Sequence, residues 1–198
     1  TETYRRFRNT MRFLLGNIHD FNPDSDRIEF SKMTTLDQWA LGRLNELVKE
    51  SARAYEAYEF YKVYHALNNF FTVELSAGYL DMLKDRLYTG KRDGLVRRSA
   101  QTALYTMADT LTRVMAPITS FLAEEVYAEL PGNKLSSIFL TDYPKPVAAW
   151  DNVALKEDLA QLFTIRSDVT KKLEELRQTK AIGSGLDAKI AIRADGAL

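Results

Sequence analysis

Cysteine is absent from the 198 residues, and there are only two histidines. The first absence excludes a disulfide framework, a thiolate zinc site and a thiol nucleophile. No apolar run approaches the roughly 20 residues that a membrane-spanning helix needs. No secretory leader pattern opens the chain either. The expectation is a soluble, cytoplasmic protein with no membrane partner. Net charge is also missing, because 27 basic side chains balance 27 acidic ones, so total charge says nothing about partners. Nor is there a glycine-rich phosphate cradle. Gly183-Ser184-Gly185 follows a helical pattern instead of opening one, and so reads as a C-terminal stop.

What is present is helical periodicity. Tyr4, Phe7, Met11, Leu14, Leu15 and Ile18 form one stripe, broken by Asn22-Pro23-Asp24. Thr35-Leu36-Asp37-Gln38 reads as a capping box that opens a helix over about 36–53. The longest pattern carries Phe60, Val63, Tyr64, Leu67, Phe70, Phe71, Leu75, Gly78 and Met82. Further helices are expected over about 96–114, from Pro117 to Pro131-Gly132, and over about 153–179. Residues 136–143 read as an extended or loop connection, and 188–194 alternate like a strand.

The predicted fold is all-α: a bundle of five to six helices followed by one short strand. A lone strand needs partners, so the sequence reads as a piece of a longer chain. The expected organisation is a bundle core over 1–150, a long C-terminal helix of the bundle over 151–182, and the start of a truncated α/β module over 183–198.

No catalytic constellation emerges. His19 and His65 stand alone, with no nucleophile or carboxylate at a telling spacing, and His19 suits the negative end of a helix. Glu124 and Glu125 are adjacent and therefore diverge by about 100° on a helix. Tyr55, Tyr58, Tyr61 and Tyr64 recur every three residues, a spacing that fits helix packing better than a base-stacking platform.

The basic residues, by contrast, are segregated. Residues 1–19 hold Arg5, Arg6, Arg8 and Arg12 against Glu2 alone; residues 84–98 hold Lys84, Arg86, Lys91, Arg92, Arg97 and Arg98 against Asp85 and Asp93. Arg5, Arg8, Asn9, Arg12 and Gly16 share one face of the first helix. Like charges one turn apart repel, so Arg8 and Arg12 need carboxylates from other helices or an external anion. The second group surrounds Tyr88 where the long helix ends. Two basic sites with an aromatic among them point to RNA, whose single-stranded loops are held by stacking and guanidinium contacts.

The motif order adds a resemblance. Tyr4-Arg5-Arg6-Phe7-Arg8-Asn9-Thr10 and Arg12-Phe13-Leu14-Leu15-Gly16-Asn17 resemble the opening helix of the anticodon-binding domain of isoleucyl-tRNA synthetases, which are class I aminoacyl-tRNA synthetases. Tyr79-Leu80-Asp81, followed by Lys84-Asp85-Arg86-Leu87-Tyr88, resembles that family's long-helix end. Met115-Ala116-Pro117-Ile118 with Phe121 and Ala123-Glu124-Glu125-Val126 is similar to a proline-broken helix shared more widely by class I enzymes for aliphatic amino acids. Phe139–Pro144 and Ile182–Ala188 resemble later segments.

The resemblance implies a parent enzyme that charges its tRNA with isoleucine using ATP, with Mg. The family's His-Ile-Gly-His and Lys-Met-Ser-Lys-Ser signatures do not occur here. This piece should therefore carry no active site, cofactor or metal, and should bind the anticodon arm as a monomer. The implied RNA contacts are Arg5, Arg8, Arg12, Lys84, Arg86, Tyr88, Lys91 and Arg92. Of these, Arg8 and Arg12 are expected on the phosphate backbone, and Arg86 and Tyr88 on anticodon bases. Alternatives are the equivalent domain of a valyl or leucyl enzyme, or a non-catalytic helical RNA-binding or interaction module.

Overall fold

The stripe through Phe7, Met11 and Leu14 becomes the buried side of α1 (Glu2–Asn17) in a computed structural model that describes residues 2–193. Asn17 ends this helix by donating its side-chain amide to Phe13 O at 2.8 Å. The chain forms two units, residues 1–152 and 153–198.

In the first unit α2 (Thr35–Glu56) packs on α3 (Phe60–Asn69) and on α5 (Leu95–Met115). α4 (Leu80–Thr89) and α6 (Ser120–Glu129) complete the bundle. The core is one cluster centred on Leu14, Leu44, Leu67, Phe71, Leu104, Met107 and Leu111. Each such side chain stabilises the fold by about 1.5–3 kcal/mol relative to exposure. Phe7 stacks on Phe71 with ring centroids 4.4 Å apart, fixing α1 against the middle of the long helix.

That long helix is not α-helical throughout. Phe70–Tyr79 is a π-helical segment joining α3 to α4 without a break. Its i→i+5 bonding fits an extra residue into each turn, and the sequence shows the consequence. Phe71, Leu75, Tyr79, Leu83 and Leu87 are buried at a spacing of four. A 3.6-residue period places Gly78 and Met82 on the stripe; the structure puts Tyr79 and Leu83 there. Every side chain of α4 is thereby rotated by about 100° per displaced residue from the simple expectation. Ser76 Oγ donates to Phe71 O at 2.7 Å, capturing a carbonyl five residues back.

Other expectations change locally. The expected capping box does not form: the N-cap of α2 is Thr34, not Thr35, and Thr34 makes no side-chain cap bond. Its hydroxyl meets Asp37 Oδ2 at 2.8 Å, while Gln38 reaches Phe30 O and Met33 O. Pro117 lies in a tight turn that starts α6 afresh. The tyrosine ladder is not one packing face, because the chain breaks between α2 and α3 and Tyr58 takes φ 58° there. Tyr55 is half-buried and donates to Val114 O at 2.8 Å, whereas Tyr58 is 81% exposed. Ile138–Leu140 turn as a short 3-10 helix, held by Glu124, which accepts from Ser137 Oγ at 3.0 Å. Buried Asn45 then pins the following strap to α2, bonding both N and O of Val147.

In the second unit α7 (Val153–Gln178) stops earlier than the glycines suggest. Lys180 adopts φ 56°, and Ala181 N donates to Leu176 O, closing the helix end. Ser184 and Asp187 then form a capping box on a separate short 3-10 turn. Residues 188–193 contain no strand: among the described residues no neighbouring strand offers the ladder bonds it needs. Residue 194, the end of the expected strand, lies outside the described residues. Among the described residues no helix is long and apolar enough to cross a membrane.

Candidate nucleic-acid interface

Because Phe7, Met11 and Leu14 point inward, α1 must turn its opposite face to solvent. That face carries Arg5, Asn9, Arg12 and Gly16, all exposed. A methyl group on Gly16 would meet no other atom within 4 Å, so the surface there is open. Arg5 and Arg12 make no ion pair or hydrogen bond among the described residues. They are two helical turns apart, about 10 Å along the axis. Arg8 differs. Its Nη2 donates to Glu125 of α6 at 2.7 Å, and that carboxylate raises the guanidinium pKa above its ordinary value. Both partners remain about half-exposed, so the pair is a weak tie between helices. Glu124 and Glu125 diverge as their adjacency dictates, one holding the 137–138 loop and the other Arg8.

The end of α4 sets out the second basic group. Leu83 and Leu87 are buried, which places Lys84 and Tyr88, one turn apart, on the outer face. Tyr88 is 65% exposed. Among the described residues Lys84 pairs only with Asp81 of its own helix, at 2.9 Å. Arg86 turns inward and is 19% exposed at the side chain, against a fully buried Asp37. Arg86, expected on an anticodon base, is here engaged by an internal carboxylate.

Beyond α4 the chain turns sharply. A methyl group on Gly90 would sit 2.4 Å from Arg86 O, so this position requires glycine for close backbone approach. Lys91 and Arg92 project from the turn, pairing at 3.3 Å with Asp93 and Asp20 respectively. Arg97 holds the turn from below, donating to Leu87 O at 3.1 Å and Arg92 O at 3.1 Å.

Asp20 connects the two groups. It lies three residues beyond α1, its side chain is only 8% exposed, and it accepts from Arg97 Nη1 at 2.9 Å and Gln101 Nε2 at 2.7 Å. These donors, Arg97 first, hold its carboxyl far below the usual range. Arg92 is a third, outlying partner. The structure therefore brings the C-terminal end of α1 beside the Lys91-Arg92 turn. Asp20, Asp37 and Arg97 support this arrangement, a role that residue order alone does not reveal. The available hint was an acid next to apolar residues in Leu36-Asp37, and Arg97 within the second basic run.

No cluster of metal-ligating side chains occurs among the described residues. A cleft of about 340 Å³ beside α5 and α6 is lined by Tyr105, Asp109, Arg113 and Lys134. Lys134 is spent on the α6 terminus, donating to Tyr127 O, Ala128 O and Leu130 O, and burial lowers its pKa.

The bundle thus presents an exposed cationic helix face and a basic, aromatic helix end, features that RNA-binding surfaces combine. The family model described as the anticodon-binding domain of tRNA ligase matches residues 37–192. The chain belongs to the anticodon-binding domain family of tRNA ligases. Its anticodon-binding-domain fold extends over residues that align closely with curated relatives. An isoleucine--tRNA ligase from Petrotoga mobilis is 47% identical over 192 residues, 96% of this chain and 21% of that protein. One from Geobacter sulfurreducens is 45% identical over 197 residues, 100% of this chain and 21% of that protein. One from Thermotoga maritima is 44% identical over 194 residues, 97% of this chain and 21% of that protein. This anticodon-binding domain thus spans about a fifth of the length of the curated relatives it matches.

Proposed function

We propose that the chain binds the anticodon arm of an isoleucine-accepting tRNA, one copy per RNA, as part of an isoleucine--tRNA ligase. The ATP-dependent joining of isoleucine to tRNA then belongs to the remaining four-fifths of such a ligase. The observation that carries this reading is the pair of outward arginines, Arg5 and Arg12, without a partner among the described residues, on the same bundle as exposed Tyr88.

The candidate cations differ in what binding RNA would cost them. Arg5 and Arg12 have no intramolecular partner to give up among the described residues. Arg8, Lys84 and Lys91 sit in exposed pairs of the kind worth about 0–1 kcal/mol, so a phosphate can replace the carboxylate cheaply, and Arg92 is itself exposed although its partner Asp20 is not. Arg92 is the easiest of these to exchange, since Asp20 keeps Arg97 and Gln101. The arginines supply backbone contacts, and Tyr88 supplies a face for a splayed base, a stacking contact worth about 1–3 kcal/mol.

The test is binding of the chain to an isoleucine tRNA anticodon stem-loop and to the same hairpin with its anticodon bases exchanged, at two salt concentrations. Weaker binding to the exchanged loop is expected. Equal, salt-sensitive binding would reduce the site to a general RNA surface, and no binding at low salt would overturn the reading.

A further inference from the structure

The geometry points to Arg86 as a positioning residue: clamped on Asp37, it holds the end of α4 so that Lys84 and Tyr88 face the RNA. This rests on the reading of that helix end as an RNA contact, and it gives Arg86 a different role from its neighbours.

Asp37 is fully buried and its carboxylate is saturated. Oδ1 accepts from Tyr79 Oη at 2.6 Å and Arg86 Nη2 at 2.8 Å. Oδ2 accepts from Ser99 Oγ at 2.5 Å, Thr34 Oγ1 at 2.8 Å and Arg86 Nη1 at 3.1 Å. Arg86 Nη1 also reaches Thr34 Oγ1 at 2.8 Å. The donors come from the start of α2, the end of the π segment, α4 and α5, so one carboxylate ties four elements together. Arg86 is the only cation in contact with it among the described residues. Releasing Arg86 to an RNA phosphate would leave a buried, unpaired carboxylate, a far larger cost than releasing an exposed pair.

The clamp acts at the right place. Arg86 lies on α4 between the two outward residues, Lys84 and Tyr88, and is followed by the tight Gly90 turn. The π segment makes this possible, because its shifted register puts Tyr79 in the core, where its hydroxyl meets Asp37. Stacking on a base needs a ring already held in place; a mobile ring must be ordered at the moment of binding, which weakens affinity.

The experiment compares the chain with its Asp37→Asn, Arg86→Lys, Tyr79→Phe and Tyr88→Ala variants. It reads affinity for the anticodon stem-loop and amide hydrogen exchange along the free chain. Arg86→Lys keeps the charge and loses the planar fork, while Asp37→Asn alters a residue that RNA cannot reach. The expected result is a loss of affinity in both of about tenfold, roughly one stacked base. Faster exchange confined to residues 84–92 should accompany it, with 120–129 unchanged. If Asp37→Asn fails to fold, Arg86→Lys and the milder Tyr79→Phe carry the test.

Unchanged affinity in Arg86→Lys, or tighter binding in Asp37→Asn as Arg86 is freed, would overturn the proposal in favour of direct contact. Exchange rising equally along all helices would overturn it too, making the clamp a general stabiliser. If Tyr88→Ala binds as well as the parent chain, the RNA reading of the helix end fails instead, and local exchange still reports whether the clamp orders it.

Discussion

Arg43 on α2 grips Glu74 in the middle of the π segment with two parallel hydrogen bonds, Nε and Nη2 each at 2.8 Å. The same guanidinium also meets Glu46 on its own helix. Glu74, first among its neighbours, raises the pKa of Arg43 and so favours the charged guanidinium. On the opposite side α1 touches the segment through Arg6 and Thr72 at 3.0 Å and through Thr10 and Ser76 at 3.4 Å. The irregular stretch is thus braced from two helices. Replacing Glu74 with Ala should destabilise the chain by about 2 kcal/mol, since hydrogen bonds to charged groups contribute on that scale. Urea denaturation measures it; no change would mean the π segment holds itself.

The register shift makes a sharper prediction. Leu83→Ala should cost about 2–5 kcal/mol because Leu83 is fully buried. Met82→Ala, at a half-buried position, should cost under about 1 kcal/mol. An uninterrupted α-helix predicts the reverse order, so thermal or chemical denaturation of the two variants decides which register exists in solution.

Acid stability should report on Asp20. Its pKa is depressed in the folded chain by Arg97, Gln101 and nearby charge. A depressed carboxyl stabilises fully above the unfolded value of about 3.9 and loses that contribution as pH falls below it. Melting temperature against pH should therefore drop steeply below about pH 4, and Asp20→Asn should flatten this drop while lowering stability at neutral pH. A parallel acid profile in the variant would remove Asp20 from the account.

Unpaired and paired arginines should behave differently toward RNA. Arg12→Ala should weaken hairpin binding and lower the slope of log affinity against log salt by about 0.7–0.9, the counterion release of one phosphate contact. Its unfolding free energy should stay within about 0.5 kcal/mol of the parent. Arg8→Ala should lose less affinity, because Arg8 must first leave Glu125. Equal slopes for parent and Arg12→Ala would take Arg12 out of the interface.

Much of the bundle is legible in the sequence because helix formation is local. The stripe Phe7, Met11, Leu14 announces α1, Pro117 announces the α5–α6 turn, and Gly94 marks the start of α5. The segregated arginines and the Lys84–Tyr88 motif likewise suffice to suggest RNA and a family, since they depend only on residue order.

Tertiary structure decided which of those cations are available. Arg8 is claimed by Glu125, Arg92 by Asp20 and Arg86 by Asp37, residues 117, 72 and 49 positions away in the chain. No helical period encodes such partners; they meet only when the helices pack. The same holds for the π segment, whose extra residue per turn is held by Arg43 and α1 and rotates the whole end of α4. The sequence by itself determined where helices form and where positive charge concentrates, through local periodicity and composition. Packing alone determined which positive charges face solvent unpaired, because that depends on carboxylates brought in from distant parts of the chain.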